Sequence, residues 1–205
     1  MDALIGHWLM RPRLFARERL RWGAIALCVV GYCLVLVAWS APGPSPDDAP
    51  QPEFGIKAAF LYKFLSYVEW RPGTFKEAGA PVVIGVIGAK DVADSLRALT
   101  EGRAVGDRPV EVRELQSTDS LNNVHLLFVG HAASSRIPAL ATVAQQRGTL
   151  LVTDSEGALD DGSMINLLVR QSRVRFEVSL DAAEKGGLKL SSRLLGIALT
   201  VRPAH

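Results

Sequence analysis

A chain of 205 residues has room for one domain plus an appendage. Residues 1–40 hold five of its 23 lysines and arginines and two of its 21 acids, so residues 41–205 carry 18 basic and 19 acidic groups. That near-neutral remainder lacks the basic footprint of a nucleic-acid binder. Both cysteines, Cys28 and Cys33, fall in the appendage, which excludes a thiol nucleophile, a cysteine-ligated metal and an internal disulfide from the rest.

Arg11, Arg13, Arg17, Arg19 and Arg21 precede the uncharged run GAIALCVVGYCLVLVA (23–38), with small residues at Ala38 and Ser40. This layout predicts a secretory signal peptide over 1–40. An uncleaved membrane anchor is the alternative, because the apolar run falls a little short of the roughly 20 residues of a comfortable span. In both cases the arginines stay on the cytoplasmic side and the remainder is exported. APGPSPDDAPQP (41–52), with five prolines, reads as a solvated linker, and the folded domain covers 53–203.

EFGIKAAFLYKFLSYVEW (53–70) spaces Phe54, Ala58, Leu61, Leu65 and Val68 along one face of a helix, widened by Phe60, Phe64 and Tyr67. Pro72 and Gly73 should stop it. VVIGVIG (82–88) is apolar without alternation, as a strand buried on both faces should be. KDVADSLRALTEG (90–102) reads as a helix, and VEVREL (110–115) and VHLLFVG (124–130) as strands. SSRIPALATVAQQRG (134–148) predicts a helix with a serine cap, Pro138 in its first turn and Gly148 at its end. TLLVTDSEG (149–157) is a further strand closing in a turn.

Alternation of strand and helix from Pro81 to Asp154 argues for parallel pairing through right-handed crossovers. MINLLVRQSRVRFEVSL (164–180) holds two strands too close for a crossover, hence an antiparallel hairpin about Gln171–Ser172. DAAEKGG is a short helical turn, and SSRLLGIALTVR (191–202) a last helix or helix and strand. The expected fold is α/β: a compact, three-layer-like domain with a mixed, mainly parallel sheet, built of βαβ units and a hairpin and flanked by helices.

No G-x-S-x-G, G-x-G-x-x-G, P-loop or H-E-x-x-H pattern occurs in 53–205. Gly85 and Gly88 open like a nucleotide loop but lack the third glycine, so they read as a small residue under a helix and a turn. His125 and His131 would lie roughly 20 Å apart in an extended strand, with no third ligand, which favours a structural role. Asp160 and Asp161 sit in a turn that offers no burial to separate their pKa values.

Two places remain as candidates for partner or ligand contact. Asp154 and Ser155 stand at the carboxyl end of a strand, where open α/β sheets bind ligands, although both residue types are ordinary turn formers. In RVRFEVS, Arg173, Arg175 and Glu177 alternate with Val174, Phe176 and Val178, so the wet face of a half-buried strand carries the three charges. A solvated edge is the plain reading, and guanidiniums reaching a carboxylate or phosphate the pointed one. No catalytic residue, metal ligand or cofactor is indicated.

IKAAFLYKFLSYVEW, VVIGVIG, HLLFVG, LLVTDSEG and above all INLLVRQSRVRFEVSLDAAEKGGLKLSSRLLGIA resemble the YfiR family of bacterial periplasmic regulators, over about 56–201. The resemblance implies a compact α/β domain that forms a homodimer and has no enzymatic activity. It implies a partner too: an inner-membrane diguanylate cyclase, or another membrane sensor, whose periplasmic sensor region is held down until release raises cyclic di-GMP and promotes biofilm formation. A periplasmic small-ligand sensor, with Asp154, Ser155 and the arginines around an anionic metabolite, is the alternative. Some family members carry cysteines where Gly85 and Val124 stand here, and others near Leu159 and Asn166, so redox control does not transfer. Arg71 is inserted before Pro72, and Ser163 replaces a usual glycine.

Overall fold

In the computed structural model, which describes residues 52–116 and 121–204, the first helix is shorter than its apolar stripe. Helix α1 spans Glu53–Phe64 and gives way to a 3-10 turn, Leu65–Tyr67, and a two-residue strand β1, Val68–Glu69. The cause lies far along the chain. β1 pairs antiparallel with Lys189 and Leu190, and the Ser191 amide donates to the Tyr67 carbonyl at 2.9 Å. Ladder bonds therefore end the helix before Pro72 is reached. Ala58, Leu61, Phe64, Leu65 and Val68 are buried as expected, but Phe54 is 40% exposed. The expected leader, and the linker up to Gln51, lie outside the described residues.

Strand β2 (Val82–Ile87) is buried at every position. It is followed by α2 (Lys90–Thr100), β3 (Ala104–Val105), β4 (Arg108–Glu114), β5 (Leu126–Val129), α3 (Ile137–Arg147) and β6 (Leu150–Thr153). The remaining elements are β7 (Ile165–Arg170), β8 (Arg173–Ser179), α4 (Leu180–Lys185), β9 (Lys189–Leu190), α5 (Ser192–Leu195) and β10 (Thr200–Arg202). Eight strands form one sheet in the order β10-β8-β7-β6-β5-β2-β4-β3. β4, β2, β5, β6 and β7 are mutually parallel, β8 opposes β7, β3 opposes β4, and β10 runs with β8. This is the mixed, mainly parallel α/β sheet that the alternation predicts.

From the centre, β2 to β4 and β5 to β6 step in opposite directions, so right-handed crossovers put α2 and α3 on opposite faces. Helix α1 packs beside α2. It is fastened to β8 by Phe60, Phe64 and Phe176, whose ring centroids lie within 5.9 Å of one another. Phe176 therefore points to the α1 face, and Arg175 and Glu177, its alternating neighbours, to the other.

The serine cap of α3 is not realised. Ser134 and Ser135 lie in a 3-10 turn, His131–Arg136, and Arg136 takes the cap position with no side-chain hydrogen bond. The hairpin turn does fall at Gln171–Ser172, with φ of 52° and 59°. Both residues are left-handed, as a two-residue turn matched to strand twist requires. Of β7, only Ile165 and Asn166 pair with β6, so the hairpin from Leu167 to Phe176 projects past the carboxyl end of that neighbour.

Candidate functional site at the carboxyl end of β6

Lys57, one turn after Glu53 on α1, reaches the carboxyl end of β6. Its Nζ lies 2.7 Å from Asp154 Oδ2 and 2.7 Å from Glu53 Oε1. The Lys57 and Asp154 side chains are only 12% and 9% exposed, so this is a buried ion pair. Burial alone lowers the Lys57 pKa, but hydrogen bonds to Asp154 and Glu53 outweigh it and hold the ammonium above its ordinary value. The pair is not fully satisfied. Asp154 Oδ1 and the neighbouring Ser155 Oγ are buried and have no hydrogen-bond partner among the described residues. Leaving such a group unpaired costs about 1–3 kcal/mol.

Asn166, opposite Thr153 in the ladder, organises the adjoining strands. Its Oδ1 is 2.8 Å from Thr153 Oγ1 and accepts from the Ser155 amide at 3.2 Å, while its Nδ2 donates to Glu177 Oε1 at 3.1 Å. Ser163 Oγ lies 2.9 Å from Thr153 Oγ1 and donates to the Ile165 carbonyl. A polar chain thus runs from β6 through β7 to β8, with Thr153, Ser163 and Asn166 all buried. Above it is a hollow of about 460 Å³ whose walls include Asp154, Ser155, Glu156, Asn166, Glu177 and Arg202. Arg202 ion-pairs with the exposed Asp160 and holds that carboxyl below its ordinary value. Asp160 is thereby a structural partner of β10.

Of the five residues singled out from sequence, Asp154, Ser155 and Glu177 share this hollow. Arg173 and Arg175 do not line it; they stand exposed on the projecting hairpin. Arg173 faces Arg170 directly across the ladder, and Arg175 faces Leu168. Among the described residues neither Arg173 nor Arg175 has a carboxylate within 4.0 Å. Like charges set directly opposite each other are destabilising, so this tip carries charge the fold does not use. Lys57, Thr153, Ser163 and Asn166 are additions from the structure. Lys57 had a readable signal: it interrupts the apolar stripe, three residues after Phe54 and four before Leu61. Asn166 had another, as the one polar side chain in the apolar run MINLLV.

The two glycines of the abortive nucleotide motif have packing roles. A Cβ at Gly85 would come 2.7 Å from Leu115 Cδ1 and 3.1 Å from Val124 Cγ1, so the space is taken by side chains flanking β4 and β5 and not by a helix. At the switch point between β2 and β5, a Cβ on Gly130 would lie 2.6 Å from the Gly88 carbonyl oxygen. The loops after these two strands meet backbone to backbone, the Gly130 amide donating to the Ile87 carbonyl at 2.8 Å, at the place where such sheets ordinarily admit a nucleotide. No trio of His, Cys, Asp or Glu side chains is placed to hold a metal ion among the described residues.

The model of the YfiR/HmsC-like family matches residues 54–199. The chain belongs to the YfiR/HmsC-like family. These are periplasmic regulatory domains, and no helix among the described residues is long and apolar enough to cross a membrane. No curated protein matches the chain. Among solved structures it is similar to a conserved domain protein from Vibrio cholerae, at 14% identity and a TM-score of 0.51 over 73% of this chain. It is also similar to the ABC domain in complex with L-Trp from Streptococcus pneumoniae, at 13% identity and a TM-score of 0.50 over 70%. The chain spans 60% of each of those structures, and the likeness is one of α/β fold.

Three further positions of this YfiR/HmsC-like domain make specific contacts. Val124 packs over Gly85, and Ser163 joins the Thr153–Asn166 chain. Arg71 donates to the Gly186 and Gln145 carbonyls, both at 2.7 Å, and so ties the end of α3 to the turn after α4.

Proposed function

We propose that this YfiR/HmsC-like domain binds the periplasmic sensor region of an inner-membrane diguanylate cyclase and represses it, controlling cyclic di-GMP and biofilm formation by contact and without bond-making chemistry. Residues 1–40 direct export, 41–52 form a linker, and 53–203 do the work. The observation that carries the reading is the β7-β8 tip. Arg170, Arg173 and Arg175 crowd a projecting hairpin without carboxylate partners among the described residues, on a domain whose total charge is close to zero. Guanidiniums arranged so are suited to carboxylates on another protein. A homodimer belongs to the same reading, with the edge strand β10 and the exposed Ile197 and Leu199 beside it as the apolar surface.

The test is crosslinking in intact membranes followed by purification of the tagged full chain. Recovery of a cyclase or membrane sensor from the wild type, and its loss from R173E/R175E, supports the proposal. Equal recovery from both proteins assigns the contact elsewhere, and recovery from neither removes it.

One observation favours a second reading, a sensor for a small ligand: the unpartnered Asp154 Oδ1 and Ser155 Oγ beside the 460 Å³ hollow. A ligand present at a hundredfold excess over its Kd would stabilise the fold by about 2.7 kcal/mol. Thermal shifts that appear with amino acids, nucleotides or sugars and vanish in D154N would support it. A flat screen removes it.

A further inference from the structure

At the opposite, amino edge of the sheet, His125 is 6% exposed yet only half used. Its backbone is part of the ladder, donating to the Val83 carbonyl and accepting from the Leu150 amide. Its imidazole Nδ1 accepts from the Val83 amide at 2.9 Å. An accepting Nδ1 puts the proton of the neutral ring on Nε2. That N–H has no acceptor among the described residues, and it is not sealed from solvent either. It borders a second hollow, of about 220 Å³, whose lining includes the polar Lys76, Glu77 and Arg113 and the apolar Ala80, Pro81 and Val83.

The ring cannot turn away from this hollow. Phe75 stacks on it at 4.6 Å and 13°, Trp70 meets it edge-on at 6.0 Å, and the Arg108 guanidinium covers the far face of Phe75 at 4.2 Å. Arg108 also donates to the Glu77 and Ala80 carbonyls, fixing the loop that forms the other wall. The charged groups facing the cluster are Arg108, Arg113 and Lys76 against Glu77 and Glu111, the last bonded to Arg113. They leave one net positive charge.

The geometry points to a binding site for a short-chain carboxylate, its oxygens held by His125 Nε2–H, Arg113 and Lys76 and its tail against Ala80, Pro81 and Val83. The small volume suits a short chain, and the aliphatic residues distinguish the expected ligand from a bare inorganic anion. The site lies at the other end of the strands from the hollow at Asp154 and does not depend on the regulatory reading.

The test is NMR observation of the histidine ring signals of the protein recovered from the exporting cell, titrated at constant ionic strength with sodium butyrate, sodium phosphate or sodium chloride. Butyrate should shift the His125 signals saturably and raise the pH at which the ring protonates, because a bound carboxylate favours imidazolium. Lys76→Ala, a change on an exposed loop residue, should weaken the effect several-fold without unfolding the protein. Equal shifts from chloride, shifts from phosphate alone, or no shift at 100-fold over the protein concentration would each overturn the assignment.

Discussion

The buried imidazole makes stability depend on pH in a way that can be worked out in advance. Burial, followed by the charges of Arg108 and Arg113, lowers the His125 pKa from 6.5 to about 4. In the unfolded chain the ring titrates near 6.5, so between that pH and about 4 the unfolded state takes up a proton that the folded state refuses. Stability is therefore complete above pH 6.5 and is lost as the pH falls towards 4, below which both states are protonated. At about 1.4 kcal/mol per pH unit, the gap amounts to roughly 3 kcal/mol. The perturbation is His125→Gln, which removes the titration and leaves a polar side chain. Urea unfolding at intervals from pH 7.5 to 4, in buffers without carboxylates, gives the stability of each protein. Carboxylates elsewhere titrate in both proteins and cancel in the difference. The wild type should start ahead and lose roughly 3 kcal/mol more than the variant over this range. Parallel curves would refute the reasoning.

Other perturbations follow from the same contacts. Lys57→Met strands the buried Asp154 carboxylate and should cost about 3 kcal/mol in urea unfolding, whereas Lys57→Met with Asp154→Leu should recover most of that loss. Because the Lys57 pKa is raised, the wild-type pair should hold at neutral pH and weaken only as the pH climbs past 10.5. Gly85→Ala forces Leu115 or Val124 to move and should cost about 1–2 kcal/mol in the same assay. Ser172→Gly relieves a left-handed serine at the hairpin tip and should raise the melting temperature slightly, by about 0.5 kcal/mol in stability.

Much of the fold was legible because burial leaves a period in the sequence. Val82–Ile87 is buried on both faces and reads as an unbroken apolar run; Arg173–Ser179 has one wet face and alternates. The two-residue strands β1 and β9 were not legible, since a pair joined across 120 residues carries no local period. Their pairing also explains the premature end of α1. The missing serine cap has a similar cause: the 3-10 turn at His131–Arg136 moves the start of α3 beyond Ser134 and Ser135. At the site, the rule that ligands gather at strand carboxyl ends picked out Asp154 and Ser155. Lys57, the partner of Asp154, lies 97 residues away and only tertiary packing joins the two. The charged row on β8 divides for a topological reason. Glu177 sits beside Asn166 within the sheet, while Arg173 and Arg175 lie on the part of the hairpin that outruns β6.

Repression by contact is tested most directly by measuring cyclic di-GMP in cells that produce wild-type protein, R173E/R175E at equal abundance, or none. The account predicts a low level with the wild type and an equally raised level in the other two strains. A level that is the same in all three would contradict it.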